Sequence, residues 1–86
     1  MNQYQTAIEI GSKVTSLMNH EGWKIVKKFL EDKQSEFISE LLVEKDIDRI
    51  YYLQAGVQVI SSLFNELNGL IESGIEAAKI QSMKNN

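Results

Sequence analysis

The chain has 86 residues and a formal net charge of -3, with 9 basic and 12 acidic side chains. This balance argues against a general nucleic-acid binder, which usually carries a strongly basic surface. The lack of cysteine excludes disulfides and thiolate metal sites, and the lack of proline favours long uninterrupted helices. We expect one helical domain, residues 1–86, that gains extra burial from a partner chain, because domains of this size have little stability to spare.

The sequence shows no pattern of a targeting or membrane segment. Residues 1–18 lack a basic segment followed by a continuous apolar one, so we expect no signal peptide. No run approaches the ~18 apolar residues that a membrane span requires. We therefore expect an intracellular protein without membrane contact.

The first predicted helix covers residues 3–18. Its apolar residues recur at spacings of three and four, which is typical of an amphipathic helix. They are Tyr4, Ala7, Ile8, Gly11, Val14, Leu17 and Met18. Gly11 costs about 1 kcal/mol of helix stability relative to alanine, but it would let a neighbouring helix approach closely.

The second predicted helix runs from about residue 20 to residue 44, and Asn19 can cap it by accepting a backbone N–H. Its apolar positions are Trp23, Val26, Leu30, Phe37 and Leu41. Midway along this apolar pattern, the position that should face the neighbouring helix, which we call the seam position, falls on the polar residue Lys33 or Gln34. A polar residue there would fix the register at a cost in stability. We favour the alternative in which the aliphatic stem of Lys33 covers the gap and its ammonium group reaches water.

The third predicted helix covers residues 46–83, with Asp46 as its N-cap and Asp48 in its first turn. The short connection predicts that the second and third helices form an antiparallel hairpin. At 1.5 Å per residue the third helix, with over 35 residues, is more than about 50 Å long and exceeds the second. Its C-terminal part must then be covered by the first helix, by another chain or by water. The predicted fold class is all-α, a hairpin of two long helices preceded by a shorter one.

The third helix carries a coiled-coil-like seam, because its apolar residues alternate at spacings of three and four. Within residues 54–71 the only charged residue is Glu66, and Val59, Leu63 and Leu70 widen the apolar stripe. A helix with a solvent-facing side normally carries Lys and Glu there, so this pattern predicts contacts from several directions and self-association into a homo-oligomer. The expected seam residues, serving the core or the oligomer contact, are Val57, Ile60, Phe64, Leu67, Ile71 and Ile75.

The sequence does not favour a metal site or an enzyme. His20 and Glu21 resemble the start of the zinc motif H-E-x-x-H, but Lys24 stands where the second histidine belongs. The acidic cluster at the hairpin turn lacks the spacing and the glycine of an EF-hand, so we interpret it as a solvated tip. Its members are Glu40, Glu44, Asp46 and Asp48. No nucleophile–base arrangement or glycine-rich phosphate loop is present, so we expect neither enzymatic activity nor a cofactor.

Five residues are the first candidates for contacts with a ligand or a different partner. Lys24 and Lys28, with Lys27 between them, form a basic patch near Trp23, an arrangement that can serve phosphate or single-strand binding. Because Lys28 stands four residues before an acid, ordinary intrahelical pairing is the favoured interpretation and nucleic acid is not an expected partner. Tyr51 and Tyr52 point about 100° apart, so we expect one to pack near the layer of Trp23 or the hairpin base and the other to be a partly exposed interface anchor.

A helix break followed by His-x-Gly-Trp-Lys, and later an acidic turn leading to Leu-Gln-x-Gly, resembles a group of small tailed-bacteriophage proteins of unassigned role. The resemblance covers about residues 19–70, although this chain has Glu21 where the group is expected to have proline. The matching residues are His20, Gly22, Trp23, Lys24, Asp46, Asp48, Leu53, Gln54 and Gly56. Members look like accessory products linked with head and portal genes. The resemblance therefore implies a phage origin and a virion or assembly role, without catalytic residues.

These observations lead to two competing functional hypotheses. The first is a non-enzymatic phage or prophage helical protein that self-associates through its third helix. It would have a structural or assembly role in the particle and would be found in the host cytoplasm or the virion. The alternative is a small phage-encoded binding protein that inhibits a host factor or sequesters a nucleotide-type ligand. In either case, other phage or host proteins are additional candidate partners.

Overall fold

The computed structural model describes residues 2–84, which form three α-helices: α1 (Gln3–Met18), α2 (Glu21–Leu41) and α3 (Ile47–Lys84). This confirms the all-α class and the combination of a short N-terminal helix with two long helices. Helix α2 ends at Leu41 instead of near residue 44. The chain turns there, and the Glu44 carboxylate accepts the backbone N–H groups of Lys45 and Asp46, each at 3.1 Å.

The three helices form a single layer. Helices α1 and α2 follow one another along α3 and both run antiparallel to it, because Gly11 lies beside Gly74 whereas Phe37 lies beside Gly56. The molecule measures 60 × 27 × 17 Å, and its radius of gyration is 17.9 Å, where a compact chain of this length would have about 12 Å. The fold is a hairpin whose first arm is divided in two, and it is α1 that covers the C-terminal part of α3.

The division between α1 and α2 depends on His20, not on the predicted cap Asn19. The backbone of His20 is extended (φ -78°, ψ 141°), and its Nδ1 accepts the N–H of Gly22 at 2.9 Å. Asn19 instead has helical backbone angles (φ -89°, ψ -6°) and closes α1 through its own N–H. A side-chain N-cap requires an extended backbone at that residue, which explains why His20 and not Asn19 begins α2.

Helix α1 crosses α3 at a contact between two glycines. A Cβ atom on Gly11 would lie 3.0 Å from the carbonyl oxygen of Leu70 and 3.1 Å from the Cα of Gly74. A Cβ on Gly74 would lie equally close, 3.0 Å, to the carbonyl oxygen of Ala7. The two backbones can approach this closely only because neither residue has a side chain, as the sequence predicted for Gly11.

Helix α2 packs on α3 through larger side chains. The rings of Trp23 and Phe64 meet edge to face with centroids 6.3 Å apart, and those of Phe37 and Tyr52 do the same at 6.3 Å. Leu53 between them is fully buried. Offset and edge-to-face pairs are the favoured arrangements of aromatic rings, so these contacts fix the relative position of the two helices.

The polar interruption of the α2 seam is filled by Gln34, and the favoured interpretation with Lys33 is wrong. The Gln34 Nε2 donates to the backbone carbonyl of Val57 at 3.0 Å and to the Ser61 Oγ at 2.7 Å. Lys33 points outward and pairs with Glu36 at 3.3 Å. The amide can donate twice and satisfy two acceptors on α3, whereas a lysine stem would leave the Ser61 hydroxyl to water.

Candidate interaction surface

The predicted seam of α3 lies mostly against the other two helices of the same chain. Ile60 is buried, and Val57, Phe64, Leu67 and Ile71 are half-buried. Ile75 is different, since 53% of it is exposed. Most of this set therefore contributes to the intrachain core, and the exposed apolar surface of α3 lies elsewhere.

The structure does not bring together the five candidate ligand or partner residues. Trp23 is buried against Phe64, while Tyr51 and Tyr52 are exposed near the hairpin base. Tyr52 contacts Phe37, which lies fourteen residues after Trp23, a separation of about 21 Å along a helix. Two further candidates are exposed on α2, namely Lys24 and Lys28, of which Lys28 pairs with Asp32 at 3.2 Å. These positions do not form one pocket.

The exposed Tyr52 belongs instead to a cluster at the base of the hairpin that the sequence did not reveal. The Arg49 guanidinium donates to the Glu40 carboxylate at 2.8 Å, and its carbon lies 5.0 Å from the centroid of the Tyr52 ring. The hydrogen bond to Glu40 raises the pKa of Arg49 above its ordinary value. The cluster joins α2 to α3 next to the turn, and it holds no reactive group.

The acidic residues of the hairpin turn interact with backbone. Glu44 accepts the two N–H groups described above, and the Asp46 Oδ1 accepts the N–H of Asp48 at 3.2 Å, as expected for an N-cap of α3. Within residues 2–84 no group of three acidic, histidine or cysteine side chains is placed to hold a metal ion.

The line of contact with α1 and α2 divides the surface of α3 into two sides. On one side, Val59 and Tyr52 line one groove, and Leu70 and Ile10 line another. Leu63 shares a groove with Val59 and stands seven residues, two helical turns, before Leu70. The grooves therefore belong to one continuous face of the hairpin.

Helix α2 contributes to the same face. Phe37 lies against Tyr52 and Gly56 there, and Val26 stands eleven residues, three helical turns, before Phe37. We call this surface the apolar face. We define it by six residues that are between 40% and 67% exposed: Ile10, Val26, Tyr52, Val59, Leu63 and Leu70.

The opposite surface, which we call the polar face, has a different composition. At its centre it includes Gln34 of α2, which bonds to Ser61. Towards α1 its groove is lined by Ser12 and Thr15 together with Ile8, Ile71 and Ile75, and Ile38, one helical turn after Gln34, is 46% exposed. Along α3 this face follows a row with a spacing of seven: Ile47, Gln54, Ser61, Asn68 and Ile75. The centre of the row is polar and only its ends are apolar.

Comparisons with known proteins add no assignment. No family model matches the chain, and neither a curated protein nor a solved structure matches it. No helix within residues 2–84 is both long and apolar enough to cross a membrane.

Proposed function

We propose that this chain functions through self-association, as a structural or assembly component built from copies of its helical hairpin. The observation that carries the proposal is the single-layer fold. A helix must bury its apolar stripe, and stable domains do this by packing two layers around a core. Helices α1 and α2 each pack on α3 and barely contact each other, so one chain supplies one layer, two helices wide.

The distribution of apolar side chains supports a missing second layer. Among residues 2–84, four hydrophobic residues are buried: Trp23, Leu53, Ile60 and Ala77. Sixteen large hydrophobic side chains in the same range are exposed. Isolated exposed hydrophobics are ordinary, but contiguous apolar patches on a small protein mark interaction sites.

The total surface area supports the same conclusion. The chain exposes 6515 Å², and a compact monomer of 9.8 kDa would expose about 5,200 Å². A rod exposes more surface than a sphere, and here the exposed surface includes the apolar face. The difference is roughly 1,300 Å², whereas a typical stable complex buries about 800 Å² on each partner. One chain therefore has enough surplus surface for a stable interface.

The setting that we propose is a tailed-phage particle or its assembly. This part of the proposal depends on the resemblance around Trp23 and the hairpin turn. In the structure these residues begin α2, anchor it on α3 and turn the chain. Mass spectrometry of purified particles would test the setting. Recovery of the chain in the particles or in assembly intermediates is expected, and its complete absence from both would contradict the particle role while leaving self-association intact.

Self-association itself is tested by sedimentation equilibrium between about 1 and 100 µM, a range that covers ordinary interface affinities. The expected result is a mass that is an integral multiple of 9.8 kDa. Circular dichroism on the same samples controls for folding. A helical chain that sediments as a monomer throughout this range would overturn the proposal.

A further inference from the structure

We propose that two copies pair through their apolar faces and form a closed, two-layered helical dimer. The inference rests on the proposed self-association. It specifies which surface of the hairpin forms the interface and why assembly stops at two copies. It assigns the partner as a second copy of this chain, with the apolar face of one hairpin lying on the apolar face of the other.

The difference between the two faces is the reason for a closed dimer. The centre of the apolar face presents Val59 and Leu63, whereas the centre of the polar face presents Ser61 hydrogen-bonded to Gln34. A contact between two identical patches is satisfied by a single two-fold axis and leaves no further patch exposed. If both faces were apolar, hairpins would stack without limit. The asymmetry between the faces therefore favours two copies over an open fibre.

Charge supports a second copy over a different partner. Within residues 54–71 the only charged side chain is Glu66, at the edge of the groove formed with Val59 and Leu63. The charged groups that border it pair within the chain, Arg49 with Glu40 beside Tyr52 and Lys33 with Glu36 on α2, so a partner selected by charge would find little unpaired charge here. A second apolar face is complementary to it, because burial of apolar area is non-directional and needs no matching charge.

The dimensions also fit a second copy. Along α3 the apolar face extends from Tyr52 to Leu70, about 27 Å at 1.5 Å per residue, on a hairpin 60 Å long and 27 Å wide. A second hairpin has the same length and width and would cover it from end to end. Two hairpins packed in this way have the layered arrangement of a helix bundle, in which each α3 contacts α1 and α2 of its own chain and helices of the other chain. The surplus of roughly 1,300 Å² over the whole chain exceeds the about 800 Å² that each partner buries in a typical stable complex.

A pair of matched substitutions tests the choice of face. Val59→Glu introduces a carboxylate on the apolar face, and Ile75→Glu introduces the same group on the polar face. Both residues are exposed within one chain, at 67% and 53%, so neither change disturbs the packing of the hairpin itself. Sedimentation equilibrium and circular dichroism would be measured on both variants and on the unmodified chain.

The expected result is a dimeric unmodified chain, a dissociation constant raised by about 100-fold or more in Val59→Glu, and a change within about twofold in Ile75→Glu. A Val59→Glu variant that dimerises as well as the unmodified chain would overturn the assigned face and leave self-association standing. Dissociation by both substitutions, or by Ile75→Glu alone, would also overturn it. An unmodified chain that forms assemblies larger than a dimer would overturn closure, and a monomeric one would remove the proposed function itself.

Cysteine labelling keeps the test decisive if Val59→Glu unfolds. The chain has no cysteine, so Val59→Cys and Ile75→Cys each provide one thiol in an otherwise native protein. At high protein concentration N-ethylmaleimide should modify Val59→Cys more slowly than Ile75→Cys, and dilution below the dissociation constant should make the two rates similar. Equal rates at high concentration would contradict the proposed interface.

Discussion

The two halves of the hairpin are held together by different kinds of contact. Along α1, the contact with α3 depends on two glycine backbones, Gly11 and Gly74, that nearly touch. Along α2, the contact depends on side chains, with Trp23 against Phe64 and a ring of Phe37 over Gly56. A backbone contact leaves no room for adjustment, whereas a side chain can rotate. The halves should therefore respond differently to the same small substitution, even though both are helix pairs.

The largest effect is expected from Trp23→Ala in the α2 half. Trp23 is the largest of the few buried side chains, so its removal should lower the free energy of unfolding by about 3 to 5 kcal/mol. Urea unfolding followed by circular dichroism would measure this. Tyr51→Ala is the matched control, since Tyr51 is 62% exposed, and a change within about 0.5 kcal/mol is expected there. Similar losses for both would show that the aromatic contact with Phe64 is not what holds the α2 half together.

A smaller but still clear loss is expected from Gly11→Ala in the α1 half. The new methyl group would lie 3.0 Å from the Leu70 carbonyl oxygen and 3.1 Å from the Gly74 Cα. Both obstacles are backbone, so the helices must separate, and a net loss of about 1 to 3 kcal/mol is expected despite the better helix propensity of alanine. Thermal and urea unfolding would measure it. A variant more stable than the unmodified chain would contradict the close crossing.

Gly56→Ala sharpens the comparison, because its obstacle is a side chain. The added Cβ would lie 2.7 Å from the Phe37 ring, which can move aside at the cost of its edge-to-face contact with Tyr52. We expect a loss of about 1 kcal/mol or less, since the gain in helix propensity offsets part of the displacement. Near-ultraviolet circular dichroism would report the ring movement. A loss larger than that of Gly11→Ala would reverse the proposed difference between the halves.

The smallest effect, and the only stabilising one, is expected from Gly69→Ala. This glycine lies within α3, and a Cβ built on it meets nothing within 4 Å. Alanine should raise the free energy of unfolding by about 0.5 to 1 kcal/mol through helix propensity alone. The variant is the matched control for Gly11→Ala, because both replace a helical glycine by alanine. A loss of stability would indicate that a contact outside the single chain occupies this position.

The sequence predicted the backbone path better than the contacts between helices. The periodic apolar pattern located all three helices, and close approach of a neighbouring helix was one of the two interpretations that it offered for Gly11. It did not distinguish Asn19 from His20 as the residue that begins α2, because both can accept a backbone N–H and only the backbone angles decide between them. It likewise could not choose between Lys33 and Gln34, since the choice depends on which acceptors of α3 lie opposite.

The exposed apolar surface could likewise be predicted only in part from the sequence. Val59, Leu63 and Leu70 were recognisable in the sequence as widening the stripe of α3, so part of the apolar face had a signal. Ile10 had no such signal, and Val26 was predicted to lie in the apolar seam of α2 but is 47% exposed. Their exposure follows from the way α1 and α2 follow one another along α3. The sequence predicted that one of Tyr51 and Tyr52 would pack and the other would be partly exposed, but both are exposed. It did not indicate that Tyr52 contacts Arg49 and Phe37, which come from another turn and another helix.

Taken by itself, the sequence determined that the chain is helical, where its helices lie and that α3 carries more apolar surface than one neighbour can cover. These properties are local, since they depend on periodicity, capping residues and the lack of proline. Only the tertiary structure decided that α1 covers the end of α3 and that the hairpin is one layer thick with one apolar face and one polar face. The placement of α1 on α3 depends on the backbone contact between Gly11 and Gly74. These residues lie far apart in the chain, and no local sequence pattern brings them together.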